Sequence, residues 1–216
     1  YILPFGDYFI FHTESAERDR KLAFKVWLKD PGLKTIKELH SYSSAMGKQS
    51  KLRIFSRPYV VRVEGDKTYI ANKKEFHIAV FDQKGNPLSP VSIQYPLLTV
   101  SEEKKKKILH WFKTSPRPRN AWPILKPMIE FSDKYAAIHN LWVSEGQIYV
   151  RTYKKVNGGT EFYIIGPDGK LKTKKKVKVF EKNPMQQYLS IVYKGKFYQV
   201  VENLDDETWV LDVTGL

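Results

Sequence analysis

The sequence predicts an all-β chain of repeated four-stranded antiparallel units, the pattern of a β-propeller. Three observations carry that expectation. The strand-and-turn stretch FHIAVFDQKGN at Phe76–Asn86 returns as FYIIGPDGK at Phe162–Lys170. The hairpin upstream returns too, with VRVEGDKTYI at Val61–Ile70 lying over LWVSEGQIYV at Leu141–Val150 without a gap, 80 residues on. Fainter copies, LPFGDYFI at Leu3–Ile10 and VYKGKFYQ at Val192–Gln199, bring the number of units to four, with Phe9, Tyr69, Tyr149 and Tyr198 as shared aromatics. Alternating apolar residues are the period of a half-buried strand, and a repeated unit of this kind is the signature of a propeller.

The elements follow in order from that template. Each unit opens with strand a, a tight polar turn and strand b. A further alternating strand comes next, in AFKVWLKDPG, HIAVFDQKG, FYIIGPDG and ETWVLDVTG. In the first three units a last strand follows, in KTIKELHSY, NPLSPVSIQY and KLKTKKKVKVF. The unit is therefore four strands, a to d, joined mostly by hairpins. Strands are expected at Tyr59–Glu64, Lys67–Ala71, Phe76–Phe81, Leu141–Val143, Gln147–Tyr153, Phe162–Ile165 and Lys172–Phe180. The shared aromatics stand 60, 80 and 49 residues apart, so a core unit of about 45–50 residues carries insertions. This predicts a single propeller domain over 1–216, with blades at 1–42, 56–97, 136–180 and 187–216 and insertions at 43–55 and 98–135. A β-sandwich would also supply short strands, but it would not repeat the same turn at the same place in each unit.

The longer insertion holds one expected helix, near Ser101–Lys113. Thr99 reads as its N-cap with Glu102 three residues on, a capping box that satisfies free backbone N–H groups. Glu102 with Lys106 and Glu103 with Lys107 are i,i+4 pairs in the favourable orientation. Ile108, Leu109 and Phe112 form the apolar stripe, with Trp111 beside it, and the helix ends by Ser115, before Pro116. PRPRNAWP then reads as an extended, proline-stiffened loop presenting Arg117, Arg119 and Trp122.

At G-x-I-Y-V-x-T (Gly146–Thr152) and F-x-I-x-x-F-D-x-x-G (Phe76–Gly85) the chain resembles the six-bladed β-propellers of bacteria related to NHL and TolB-type proteins. The resemblance covers most of the chain as a pattern. It implies four or so C-terminal blades of a six-bladed ring, with upstream blades outside this chain; a closed four-bladed propeller is the alternative. It also implies a periplasmic or extracellular protein. Some propellers of this kind are lyases with axial metal-binding histidines, and some NHL-type proteins bind RNA.

Composition narrows the chemistry. With no cysteine, disulfides, Cys-ligated zinc and thiol catalysis are excluded. The net charge of +14 invites a nucleic-acid reading, which needs the charge gathered on one face. In KLKTKKKVK, Lys172, Lys174, Lys176 and Lys178 share one strand face, opposite Leu171, Thr173, Val177 and Val179. That is how an outer strand is guarded against pairing with another chain, so nucleic acid is not the favoured partner. None of the histidines (His12, His40, His77, His110, His139) forms a zincin pair, and no nucleophile elbow, P-loop or dinucleotide fingerprint is present. VNGGT at Val156–Thr160 sits between strands b and c as a hairpin loop, and the charges of Glu14, Glu17, Arg18, Asp19 and Arg20 read as a salt-bridged surface loop. No cofactor, metal or catalytic set is expected, and no apolar run nears the roughly 18–20 residues of a membrane helix.

In alternating strands the a–b and c–d turns share one end, and these are short: EGDK, SEGQ, YKGK, DPGL, DQKG and PDGK. The b–c and d–a connections share the other end and hold the irregular segments, at His12–Lys21, Tyr42–Arg57, Asn72–Glu75, Pro96–Tyr135 and Tyr153–Thr160. Irregular loops on a repetitive scaffold are where binding is normally placed. The expected function is non-catalytic recognition or scaffolding, with a protein, peptide or glycan ligand at that end. The candidate binding residues are Arg117, Arg119, Trp122, Trp111, His12 and His139. A propeller lyase or hydrolase with an axial site, and an RNA-binding propeller, are the alternatives.

Overall fold

A computed structural model describes residues 1–17, 21–45, 52–55, 59–203 and 207–216 of the chain. Strands dominate and pair in chain order. The first sheet is β1 (Ile2–Phe5), β2 (Tyr8–Glu17), β3 (Lys21–Lys29) and β4 (Thr35–Ala45). After the short β5 (Leu52–Ile54) comes a second sheet, β6 (Tyr59–Glu64), β7 (Lys67–Asn72), β8 (His77–Phe81) and β9 (Pro87–Ser92). Helix α1 (Glu102–Thr114), helix α2 (Trp122–Leu125) and β10 (Ile129–Phe131) precede the third sheet. That sheet is β11 (Asn140–Ser144), β12 (Gln147–Val156), β13 (Gly159–Ile165) and β14 (Leu171–Val177). The last has three strands, β15 (Ser190–Tyr193), β16 (Lys196–Asn203) and β17 (Thr208–Gly215). All four sheets are antiparallel; the one parallel pair described is β5 with β10, which the strand template did not anticipate.

The chain divides into two compact units: Tyr1–Lys51 with Arg57–Tyr95, and Leu52–Ser56 with Pro96–Leu216. In the first, Phe5, Ile10, Val26 and Leu28 pack with Val61 and Ile70, burying the facing sides of two sheets. In the second, Trp142 stacks on Phe162 (5.9 Å) and meets Phe197 edge-on (5.7 Å), while its indole N–H donates to the Ser190 carbonyl (3.2 Å). That bond satisfies the polar tip of a buried tryptophan and ties the third sheet to the last.

Both repeats are physical. Leu141 pairs with Val150 and Ser144 with Gln147, as Val61 pairs with Ile70 and Glu64 with Lys67. The hairpins close over two residues, with φ positive at Gly65 in one and at Glu145 and Gly146 in the other, the primed geometries that match strand twist. The c–d turn recurs as well. Asp30, Asp82 and Gly166 each donate a backbone N–H four residues ahead, and the carboxylates of Asp30, Asp82 and Asp168 accept the N–H of Lys34, Asn86 and Lys170. The left-handed position of this turn is Gly85, Gly169 and, in the first sheet, Leu33 at φ 62°. DPGL thus does not use its glycine where the other two turns do.

Several expectations are corrected. Counting from the two-residue turns, the equivalents of Tyr69 and Tyr149 are Ile10 and Tyr198, so Phe9 stands one residue out of phase. A slip of one flips the face: Ile10 is fully buried, Phe9 half-buried. Much of the expected irregular segments at His12–Lys21, from Tyr42 and at Tyr153–Thr160 is strand, since β2 runs to Glu17, β3 starts at Lys21, β4 reaches Ala45, and β12 and β13 leave only Asn157 and Gly158 between them. Within those segments 52–54 is β5, and 18–20, 46–51 and 56–57 lie outside the described residues. Strand β14 ends at Val177, its one buried residue, and lies at the sheet edge. Helix α1 is capped by Ser101, whose hydroxyl accepts the Lys104 N–H (3.2 Å), not by Thr99, which bridges to Lys134. Ser101 is the better-placed cap because it directly precedes the helix and reaches N3. Lys107 pairs with Glu103 (2.7 Å) as expected, whereas Glu102 pairs with Lys105 (2.7 Å). The stretch after Ser115 is not extended: Arg119–Ala121, α2 and Lys126–Met128 are successive helical turns, because Pro123 and Pro127 sit where a helix start tolerates them.

Candidate functional site

In the second unit, the polar centre forms at the end of the third sheet opposite its Ser144–Gln147 turn. β12 carries Arg151, Tyr153 and Lys155 to that end, and the backbone N–H of His139 donates to the Arg151 carbonyl (2.8 Å) as the chain enters β11. The connection from β14 to β15 closes on itself by a bridge between Glu181 and Gln187. The Arg151 side chain is only 2% exposed, and one terminal N–H donates to Gln187 Oε1. Gln187 Nε2 then lies 2.6 Å from His139 Nε2. As Gln187 uses its oxygen for Arg151, its amide must donate, which makes His139 Nε2 the acceptor. Glu181 faces Lys155 (3.2 Å), Lys104 of α1 (3.3 Å) and Arg151 (3.9 Å). Tyr135 stacks on Tyr153 (4.5 Å), Phe55 meets both edge-on, and His139 lies 4.4 Å from Tyr153.

Burial sets the electrostatics here. It pushes the Arg151 guanidinium down to about 10, against the opposing pull of Glu181 and Tyr153. It pushes the Tyr153 hydroxyl far above its ordinary value and raises Tyr135, with the Glu181 charge adding to the latter. Burial also opposes the charge on Glu181, but Lys104 and Lys155 outweigh it and hold the carboxyl below its ordinary value. The centre can bind and orient polar groups. Among the described residues, no three His, Asp or Glu side chains come together as metal ligands.

The first unit has its own cluster, midway along β2, β3 and β4 and at the Tyr59 end of β6, away from the Gly65–Asp66 turn. His12, Val26 and His40 are register partners across β2, β3 and β4. Phe24 stacks on Tyr59 (4.7 Å), and His40 lies 4.6 Å from the same ring. Lys74 donates to the Tyr42 hydroxyl (3.1 Å). Burial lowers the pKa of both histidines; Arg62 lowers His12 further, and for His40 Glu38 and His77 pull in opposite directions. His40 Nε2 is buried without a hydrogen-bond partner among the described residues.

The candidate residues read from the sequence therefore separate. His139 belongs to the Arg151 centre and His12 to the imidazole cluster of the first unit. Trp111 and Trp122 are half-buried and pack together against Ile54, Ile108 and Phe112. Arg117 and Arg119 are exposed. Arg151, Gln187 and Glu181 were not anticipated. The signal for Arg151 was a charge inside the continuous run IYVRT, of which every residue is buried. Nothing local singles out Glu181 or Gln187.

No protein family and no curated protein matches the chain. Among solved structures it is similar to the CNH domain of AfRom2, at 8% identity and a TM-score of 0.37, over 96% of this chain and 50% of that one. It is also similar to an apocarotenoid oxygenase/RPE65 chimera, at 6% identity and a TM-score of 0.33, over 97% and 46%. For the hydrazine synthase of Kuenenia stuttgartiensis the values are 11%, 0.28, 94% and 61%. The chain spans about half the length of the first two of these. Likeness at that level assigns neither a family nor a function.

Proposed function

We propose that the chain is part of a β-propeller related to the NHL and TolB-type proteins, and that it recognises a protein, peptide or glycan without catalysing a reaction. The reading is carried by one observation: in each unit aromatic, imidazole and charged side chains gather away from the a–b turns, toward the opposite sheet ends. In a propeller those ends share one face, above a scaffold that repetition keeps rigid. Stacked tyrosines beside a buried arginine suit recognition, since aromatic and arginine side chains supply most binding energy where they are held in place.

The test is to select ligands from peptide and glycan arrays and to map the bound state by hydrogen exchange. Protection at 72–75, 132–139 and 153–160 is expected. Protection confined to the turns around Gly65, Gly85 and Gly169 would overturn the reading.

A further inference from the structure

Among the described residues, Arg151 heads the fully buried side chains, yet its guanidinium makes only one hydrogen bond to them, to Gln187. Its distance of 3.9 Å to Glu181 is beyond hydrogen-bond reach, and its Nε has no partner among the described residues. A guanidinium carries five N–H donors, and a buried polar group left unsatisfied is costly enough to require an explanation. Two further cations reach the same place. Lys104 and Lys155 both face Glu181, so three positive side chains from α1 and β12 converge on one carboxylate. Glu181 and Lys155 are 32% and 57% exposed, so this cluster opens to solvent although Arg151 does not.

We propose that Arg151, Lys104 and Lys155 form an oxyanion subsite for the carboxylate or phosphate group of a ligand, and that Glu181 occupies it in the free protein. The proposal deepens the recognition reading and rests on it. A ligand oxyanion would take the donors of Arg151 that Glu181 leaves unused, in the paired geometry that guanidinium groups offer carboxylates and phosphates. Glu181 would turn outward to solvent, which it already meets. The stacked Tyr135 and Tyr153 would form the wall beside the bound group.

Inorganic phosphate and acetate, titrated separately and followed by NMR shifts of the amides at 151–155 and 181–187, test this without any partner. Glu181→Gln removes the competing carboxylate, and is expected to tighten binding of the preferred ion about tenfold. The ion that gains more identifies the ligand group as phosphate or carboxylate. Replacing Arg151 would confound binding with folding, so the loss arm uses Lys104→Ala/Lys155→Ala, expected to weaken binding at least about fivefold. The proposal is overturned if Glu181→Gln binds neither ion more tightly than the unaltered protein, or if the double lysine variant binds as well. Failure here alongside a ligand that still protects the long-connection ends would remove only the subsite. Failure to find that protection would remove the recognition reading, whatever the ions do.

Discussion

Replacing Phe112 by alanine asks whether the inserted helix is held by one apolar seam. Phe112 is 7% exposed and packs with the fully buried Ile108 and Ile54, flanked by Trp111, Trp122 and Leu125. Removing a buried Phe side chain costs about 3–5 kcal/mol, less where the surroundings can collapse into the gap. The flanking side chains are themselves half-buried and free to move inward, which places the expected cost at about 3 kcal/mol. At about 1.4 kcal/mol per decade, that is roughly a hundredfold loss of protection. Native-state hydrogen exchange should show it in the amides of 105–114. β12 and β13 rest on a different cluster, around Trp142, Phe162 and Phe197, and should keep their protection. Equal acceleration in α1 and in β12–β13, or none in α1, would refute the reasoning.

Other outcomes follow from particular residues. Leu33 holds a left-handed conformation at a cost of about 1–2 kcal/mol, and glycine gives back about 0.5–1 kcal/mol in chain entropy; Leu33→Gly should therefore raise the melting temperature slightly, and a fall would show that the exposed leucine packs. His12 and His40 have folded pKa values below 6.5, so the unfolded chain takes up protons first as pH falls. Their contribution to the first unit is complete above pH 6.5 and is lost as pH drops through the folded values. His40→Phe should shrink the difference in unfolding temperature between about pH 7.5 and about pH 5, because it deletes one of the two titrating groups; an unchanged difference would refute it. Arg117→Ala and Arg119→Ala should leave thermal stability within about 0.5 kcal/mol while weakening ligand binding. Trp122→Ala should lower stability by more than either, and equal effects would show that the tryptophan is not part of the helix seam.

The sheets were legible because alternation and turn chemistry agree along most of the chain. Val61–Ile70 and Leu141–Val150 align without a gap, and their pairings coincide residue for residue. Legibility failed where a choice between neighbours depended on geometry: Phe9 or Ile10 as the inward residue, Gly32 or Leu33 in the left-handed position, Thr99 or Ser101 as the cap. The prolines after Ser115 suggested extension, although a proline at the start of a helical turn is equally well accommodated. The candidate site was legible only in outline. The unequal connections point to one end of the sheets, although several of them are strand, and His139 stands out only by its place before β11. The pairing of Arg151 with Gln187 and Glu181 joins side chains 30 or more residues apart, and such pairs leave no local pattern.

The duplicated hairpins have a consequence for the order in which the chain assembles. Strands of matching register and turn length, repeated along one chain, offer each other wrong partners as well as right ones, and such mispairing is a characteristic failure of repeat proteins. Speed separates the two. A two-residue turn lets adjacent strands meet in about 1–10 μs, before distant copies can find one another. The β5–β10 pair has no such advantage, because its strands are parallel and the whole second sheet and helix α1 lie between them. Their union, with α1 docking beside Ile54, should be the late and slow event, and refolding should show hairpin protection well before protection at Leu52–Ile54.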